Sequence, residues 1–129
     1  MGKDNKNSDK IEKFEDLDVW KRSMRLSVEI YKQLSGCKDY GLKNQIQRSS
    51  VSIPSNISEG YDRNSNKEYI NFLYYARGSC AELRTQLYIA QEIGELKKEL
   101  ANKFIKETKT ISAMLYNLIK VRKENFEIV

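Results

Sequence analysis

At 129 residues, with 32% charged and 40% hydrophobic side chains, the chain has the size and composition of one globular domain with a core of its own. It carries no apolar run near the ~20 residues of a membrane span, no apolar signal-peptide segment and no Ser or Thr completing the Met-Gly start of a myristoylation signal, so the expected address is the cytoplasm. Lysine and arginine (23) exceed aspartate and glutamate (18), and the formal charge of +5 permits a nucleic-acid partner without requiring one.

Residues 1–13 are polar and aperiodic, and read as a flexible tail whose end docks through Phe14 and Leu17. A first helix is predicted from Leu17 to Ser35. Leu17, Trp20, Met24, Val28 and Tyr31 would form its buried face, Asp16 or Asp18 its N-cap, and Gly36 a left-handed stop. A short link leads to a second helix over Gly41–Arg63. There Leu42, Ile46, Ile53 and Ile57 make an apolar stripe, while Gln45, Arg48, Ser52, Asn56, Glu59 and Arg63 make a polar one. Pro54 removes one backbone donor inside this helix, so a kink or a break is expected. Ser49, Ser50, Ser52, Ser55 and Ser58 are small enough to let another helix approach closely, and Gly60 suits either a close contact or the helix end. The Asn56-Ile57-Ser58 sequon lies inside a helix and is read as chance.

A third helix should start at the capping box Ser65-Asn66-Lys67-Glu68 and stop near Gly94. Leu73, Ala76, Cys80, Leu83, Leu87 and Ala90 alternate by three and four, as in a coiled-coil seam. Tyr74, Tyr75, Gly78 and Ile89 lie behind that seam, which points to a face shared with another subunit and hence to a homo-oligomer. The fourth helix is predicted from Leu96 to Glu124, with Leu100, Phe104, Ile111, Met114, Leu115, Leu118 and Val121 toward the core. Its other face is rich in lysine, which reads either as a solvated surface or as an electrostatic surface for phosphates. Phe126, Ile128 and Val129, in a C-terminal tail over 125–129, could pack on a neighbour. With no strand signal and four helices joined by short links, the expected fold is all-α, an up-and-down four-helix bundle over residues 14–124.

Catalytic chemistry finds little support. The chain has no histidine, the commonest general base and metal ligand. Cys37 and Cys80 are too few for zinc or a disulfide framework and read as reduced thiols. There is no P-loop; Arg77-Gly78-Ser79-Cys80-Ala81 lacks the second glycine of a nucleophile elbow, and Ser35-Gly36-Cys37-Lys38 matches S-x-x-K without its partner motifs. No enzymatic activity, cofactor, metal or small-molecule substrate is expected. The polar stripe then has two readings. It is a structural network of Arg48, Asn56, Glu59 and Arg63, joined by Glu82, that sets packing register. Or Arg48 and Arg63 are phosphate ligands and Asn56 a base contact.

Phe14…Leu17-Asp18-Val19-Trp20-Lys21, the run from Gly41-Leu42 through Gln45-Ile46-Gln47-Arg48-Ser49 to Ser52-Ile53-Pro54-Ser55-Asn56-Ile57-Ser58-Glu59-Gly60, and Phe72-Leu73…Ala76-Arg77-Gly78-Ser79…Glu82-Leu83 closely resemble the bacterial 23S rRNA intervening-sequence proteins. The resemblance runs from about Phe14 to Lys123. That family also includes the accessory variability protein of diversity-generating retroelements. The resemblance implies a homopentameric barrel of four-helix protomers with a basic surface and no enzymatic activity. In the retroelement branch it also implies binding to nucleic acid and to a reverse transcriptase. The family pattern falls on Arg48, Pro54, Asn56, Glu59, Gly60, Arg63, Gly78, Ser79 and Glu82. The expected function is therefore oligomeric RNA or DNA binding through a basic surface, the alternative being a protein–protein adaptor, for example an accessory subunit of a reverse transcriptase. Candidate nucleic-acid contacts are Lys21, Arg22 and Arg25 of the first helix and Lys97, Lys98, Lys103, Lys106, Lys109, Lys120, Arg122 and Lys123 of the fourth.

Overall fold

The computed structural model describes residues 10–126; residues 1–9 of the expected tail, and Ile128 and Val129, lie outside it. After a 3-10 turn at Phe14–Asp16 come four α-helices: α1 (Asp18–Gln33), α2 (Tyr40–Tyr61), α3 (Asn66–Glu92) and α4 (Lys98–Phe126). Each packs on its chain neighbours, and α1 closes onto α4, giving the up-and-down four-helix bundle. Leu73, Ala76, Cys80, Leu83, Leu87 and Ala90 of α3 are all buried, as the seam predicts. They meet Ile46, Ile53 and Ile57 of α2 and Phe104, Ile111 and Leu115 of α4 in one core. Val121, expected there, is instead 46% exposed, and Ile119, Thr108, Ile105 and Ala101 are buried on α4.

α1 corrects the expected register. Val28 and Tyr31 are 46% and 47% exposed, and the buried face is Val19, Ser23, Leu26, Ser27 and Ile30. The physical reason lies in Ser27: its hydroxyl meets that of Ser50 on α2 at 3.1 Å, so the contact face carries small polar residues that apolar periodicity passes over. The predicted caps of α1 also differ. Leu17 is the N-cap without a side-chain bond, while Asp16 accepts from the backbone N–H groups of Glu12 and Lys13 at 3.0 and 3.3 Å. Gly36 does not adopt a left-handed conformation; among the described residues only Gly94 has positive φ, at 79°. Phe14 and Leu17 dock as expected, Phe14 edge-on to Trp20 with ring centroids 5.3 Å apart.

α2 runs through Pro54 without a break. Its serines bond its neighbours: Ser49 Oγ donates to Gln86 Oε1 at 2.7 Å, and the Ser52 and Ser79 hydroxyls meet at 2.8 Å. Gly60 is a close contact, since a Cβ there would lie 2.5 Å from Phe72 Cβ on α3. Ser65 caps α3 by accepting from Glu68 N–H at 3.1 Å, but the Glu68 carboxylate takes the Ser65 hydroxyl at 3.3 Å, so only half of the predicted box forms. At the other end of α3, Gly94 N–H donates to Gln91 O and Glu95 N–H to Ala90 O, a Schellman stop. Glu95 then reaches across and accepts the backbone N–H groups of Lys38 and Asp39 at 3.1 and 2.7 Å, tying the α1–α2 link to the α3–α4 turn. Asp39, not singled out in the sequence, caps α2 through Leu42 N–H at 3.0 Å.

Two of the helical glycines should respond to alanine in opposite directions. Gly60→Ala forces α2 and α3 apart at an atom fixed to the backbone and should destabilise the protein by about 1–3 kcal/mol. Gly78 has nothing within 4 Å of its would-be Cβ, so Gly78→Ala should stabilise by about 0.5–1 kcal/mol through helix propensity. Urea unfolding of both variants measures the two signs.

Candidate functional site

The eleven predicted cationic contacts divide by partner. Arg22 makes a two-pronged bond to Glu107, Nε to Oε2 at 2.8 Å and Nη2 to Oε1 at 3.0 Å, and this bond raises its pKa above the ordinary value. Lys103 reaches Glu29 at 3.4 Å. These pairs cross the α1–α4 cleft, which Arg25 also lines, so that cleft carries both signs of charge. Arg122 donates to Asn66 Oδ1 at 2.8 Å and lies over the Tyr69 ring; Lys123 donates to Tyr74 Oη at 2.7 Å. Lys21 is half-buried on α1, and Lys97 is exposed in the turn before α4. Lys98, Lys106, Lys109 and Lys120 are exposed and have no ion pair among the described residues.

Those four lysines fall with Asn102, Ala113 and Tyr116 on one outward stripe of α4 at spacings of three and four. From Lys98 to Lys120 the stripe has no acid and extends about 33 Å at 1.5 Å per residue. Beside it, between α3 and α4, runs an open groove of about 380 Å³ lined by Arg77, Arg84, Lys109, Ser112, Ala113, Tyr116 and Asn117, none of them acidic. Arg77 and Arg84 stand seven apart, on one face of α3. Arg84 is half-buried; its Nε donates to Thr108 Oγ1 at 3.0 Å, and the fully buried Thr108 spends its own proton on Ile105 O at 2.6 Å. The guanidinium is therefore anchored by one edge to the bundle, with no carboxylate partner among the described residues. Arg77 lies over the Tyr116 ring, 5.3 Å from its centroid. Neither arginine was singled out as a phosphate contact from sequence. The available signal was their seven-residue spacing opposite Lys109 and Tyr116, themselves seven apart on α4.

The polar stripe of α2 divides into separate pieces. Arg63 pairs with Glu59 at 2.8 Å, one turn along the helix, and sits 3.9 Å from Glu68 and over the Phe72 ring. Asn56 donates to Ser52 O at 2.8 Å and Ser52 Oγ at 3.0 Å. Arg48 and Glu82 line a cleft of about 230 Å³ between α2 and α3 but make no bond to each other or to the rest of the stripe among the described residues. The bundle thus joins Glu59 with Arg63, and leaves Arg48 and Glu82 apart.

Both cysteines are free and buried. Burial pushes the Cys80 thiol up to about 12, against the opposing pull of Arg84 and Arg77, and burial also raises Cys37. Among the described residues no group of three His, Cys, Asp or Glu side chains could hold a metal ion, and no helix is long and apolar enough to cross a membrane.

The fold and this surface define a small basic helical bundle with a cation-lined groove between two of its helices. The chain belongs to the 23S rRNA-intervening sequence protein family, whose profile matches residues 15–117. A comparison with curated proteins finds no match. Among solved structures, the chain is similar in fold to a protein of unknown function from the S23 ribosomal protein family of Bacteroides thetaiotaomicron, with a TM-score of 0.76 and 24% identity over 79% of this chain and 98% of that one.

The buried thiol gives a pH prediction. Between the ordinary thiol value of 9.0 and about 12, the folded chain holds a proton on Cys80 that the unfolded chain has released. Stability should therefore fall as pH rises through this window, by up to about 1.4 kcal/mol per pH unit from this group. In Cys80→Ala that component is absent, so urea midpoints of wild type and variant should converge from pH 8 to pH 11; parallel curves would refute the assignment.

Proposed function

We propose that this chain is a non-enzymatic, oligomeric nucleic-acid-binding protein whose α3–α4 groove and α4 lysine stripe hold phosphates. Arg84 carries the reading. A half-buried guanidinium anchored through Nε to a buried threonine, with no carboxylate partner among the described residues and Arg77 and Lys109 beside it, concentrates positive charge where water is partly excluded. Arginine with its remaining N–H groups directed to a groove suits phosphate oxygens geometrically as well as by charge. The lysine stripe extends this potential over about 33 Å, close to ten base steps at 3.4 Å per strand. The ion-paired Arg22 and Lys103 contribute little, because their charge is already neutralised.

Fluorescence anisotropy with labelled RNA over a salt series tests this. Joint replacement of Arg77, Arg84 and Lys109 by alanine should weaken binding and flatten log K against log salt by about 0.7–0.9 per lost phosphate contact. Lys103→Ala should change little. Wild-type protein that binds neither RNA nor duplex DNA at low salt would leave the adaptor reading in its place.

Assembly is supported by apolar groups left outside, Val28 and Tyr31 on α1 and Tyr75 and Ile89 on α3. Light scattering should give a mass several times the 15.1 kDa chain, five times for the homopentamer that the family resemblance implies. A mass near 15.1 kDa sinks the oligomer.

A further inference from the structure

The groove holds more than charge. Tyr116 is 54% exposed at its rim, large and aromatic where a purely electrostatic surface needs neither property. The Arg77 guanidinium of α3 lies over the ring, 5.3 Å from its centroid, and links it to α3. Ala113, one turn earlier on α4, puts only a methyl group next to the ring. Ser112 and Asn117 line the same groove, and their side chains have no hydrogen-bond partner among the described residues. At about 380 Å³ the space falls in the range of small-ligand sites, enough for one nucleotide and far too small for a duplex.

From this geometry we infer that the α3–α4 groove seats an unpaired nucleotide of a single-stranded nucleic acid, its base stacked on Tyr116 and its phosphate held between Arg84 and Lys109. The inference rests on the nucleic-acid reading above and adds the strand state of the ligand. Paired bases in a duplex have both faces covered by their neighbours and offer no surface to a lateral tyrosine, whereas an unpaired base presents a whole face. Asn117 supplies a donor and an acceptor for the edge of the seated base, and Arg77 completes the platform from below. Phosphate contacts alone would bind duplex and single strand through the same cations, so the aromatic ring is the group that discriminates.

The test compares full-length wild type, Tyr116→Ala, Tyr116→Phe and the double variant Arg84→Ala/Lys109→Ala. The probes are a labelled twelve-nucleotide oligouridine, its DNA counterpart and a twelve-base-pair RNA duplex. Tyr116→Ala should weaken single-strand binding by about fivefold or more, leaving the salt slope and duplex affinity unchanged. Tyr116→Phe keeps the π face and should bind as wild type does. Stacking does not read the sugar, so the loss is expected on both single strands; a loss on one alone assigns the site to that strand and keeps the inference. No loss with Tyr116→Ala, or an equal loss on strand and duplex, overturns it. If the double variant then still weakens binding, the charge reading stands and only the stacking is removed. Thermal midpoints confirm that each variant is folded.

Discussion

The bundle depends on how closely α2 approaches its two neighbours. Ser27 and Ser50 bring α1 and α2 within hydroxyl reach, Ser49 and Gln86 do the same for α2 and α3, and so do Ser52 and Ser79. Gly60 lets Phe72 in where any Cβ would collide. Apolar packing alone tolerates small slips of one helix along another. A buried hydroxyl does not, because a slip strands a donor or acceptor away from water. Among the described residues no buried side-chain nitrogen or oxygen lacks a partner, so the observed register satisfies them all.

That constraint reaches the groove. Once Ser79 and Gln86 face α2, the rotation of α3 about its axis is set, and Arg77 and Arg84 turn toward α4. Thr108 meets them there: a buried polar residue on α4 that satisfies itself through Ile105 O and offers its remaining lone pair to Arg84. The positive field that results is felt inside the core, where Arg84 and Arg77 oppose the upward shift of the Cys80 thiol, although burial outweighs them. Position and charge at this groove are thus consequences of serine contacts on the opposite face of the same helix.

Charge on the rest of the surface is arranged differently. Across the α1–α4 cleft, cations and acids alternate and neutralise one another through Arg22–Glu107 and Lys103–Glu29. At the far end, Arg122 closes α4 onto the start of α3 through Asn66 and Tyr69. A lysine-rich helix can look uniformly basic in sequence and still hold only part of its charge available, since pairing is decided by residues distant in the chain.

The four helices, the Gly94 stop and the α3 seam were legible because each rests on local spacing: a 3.6-residue period needs no knowledge of the partner helix. The α1 register was not, because that helix carries two apolar stripes and the buried one includes Ser23 and Ser27, whose value lies in their smallness against α2. The polar side of Gly41–Arg63 was legible as a stripe, and the structure resolves it into interhelical hydroxyl contacts, a one-turn ion pair and a glycine close contact. Sequence by itself determined an all-α bundle of four helices with a basic balance, because periodicity and charge are properties of the chain alone. Only the tertiary structure decided which cations remain uncompensated and that Arg77, Arg84, Lys109 and Tyr116 share one groove, because ion pairing and proximity depend on distances between helices, which no local pattern encodes.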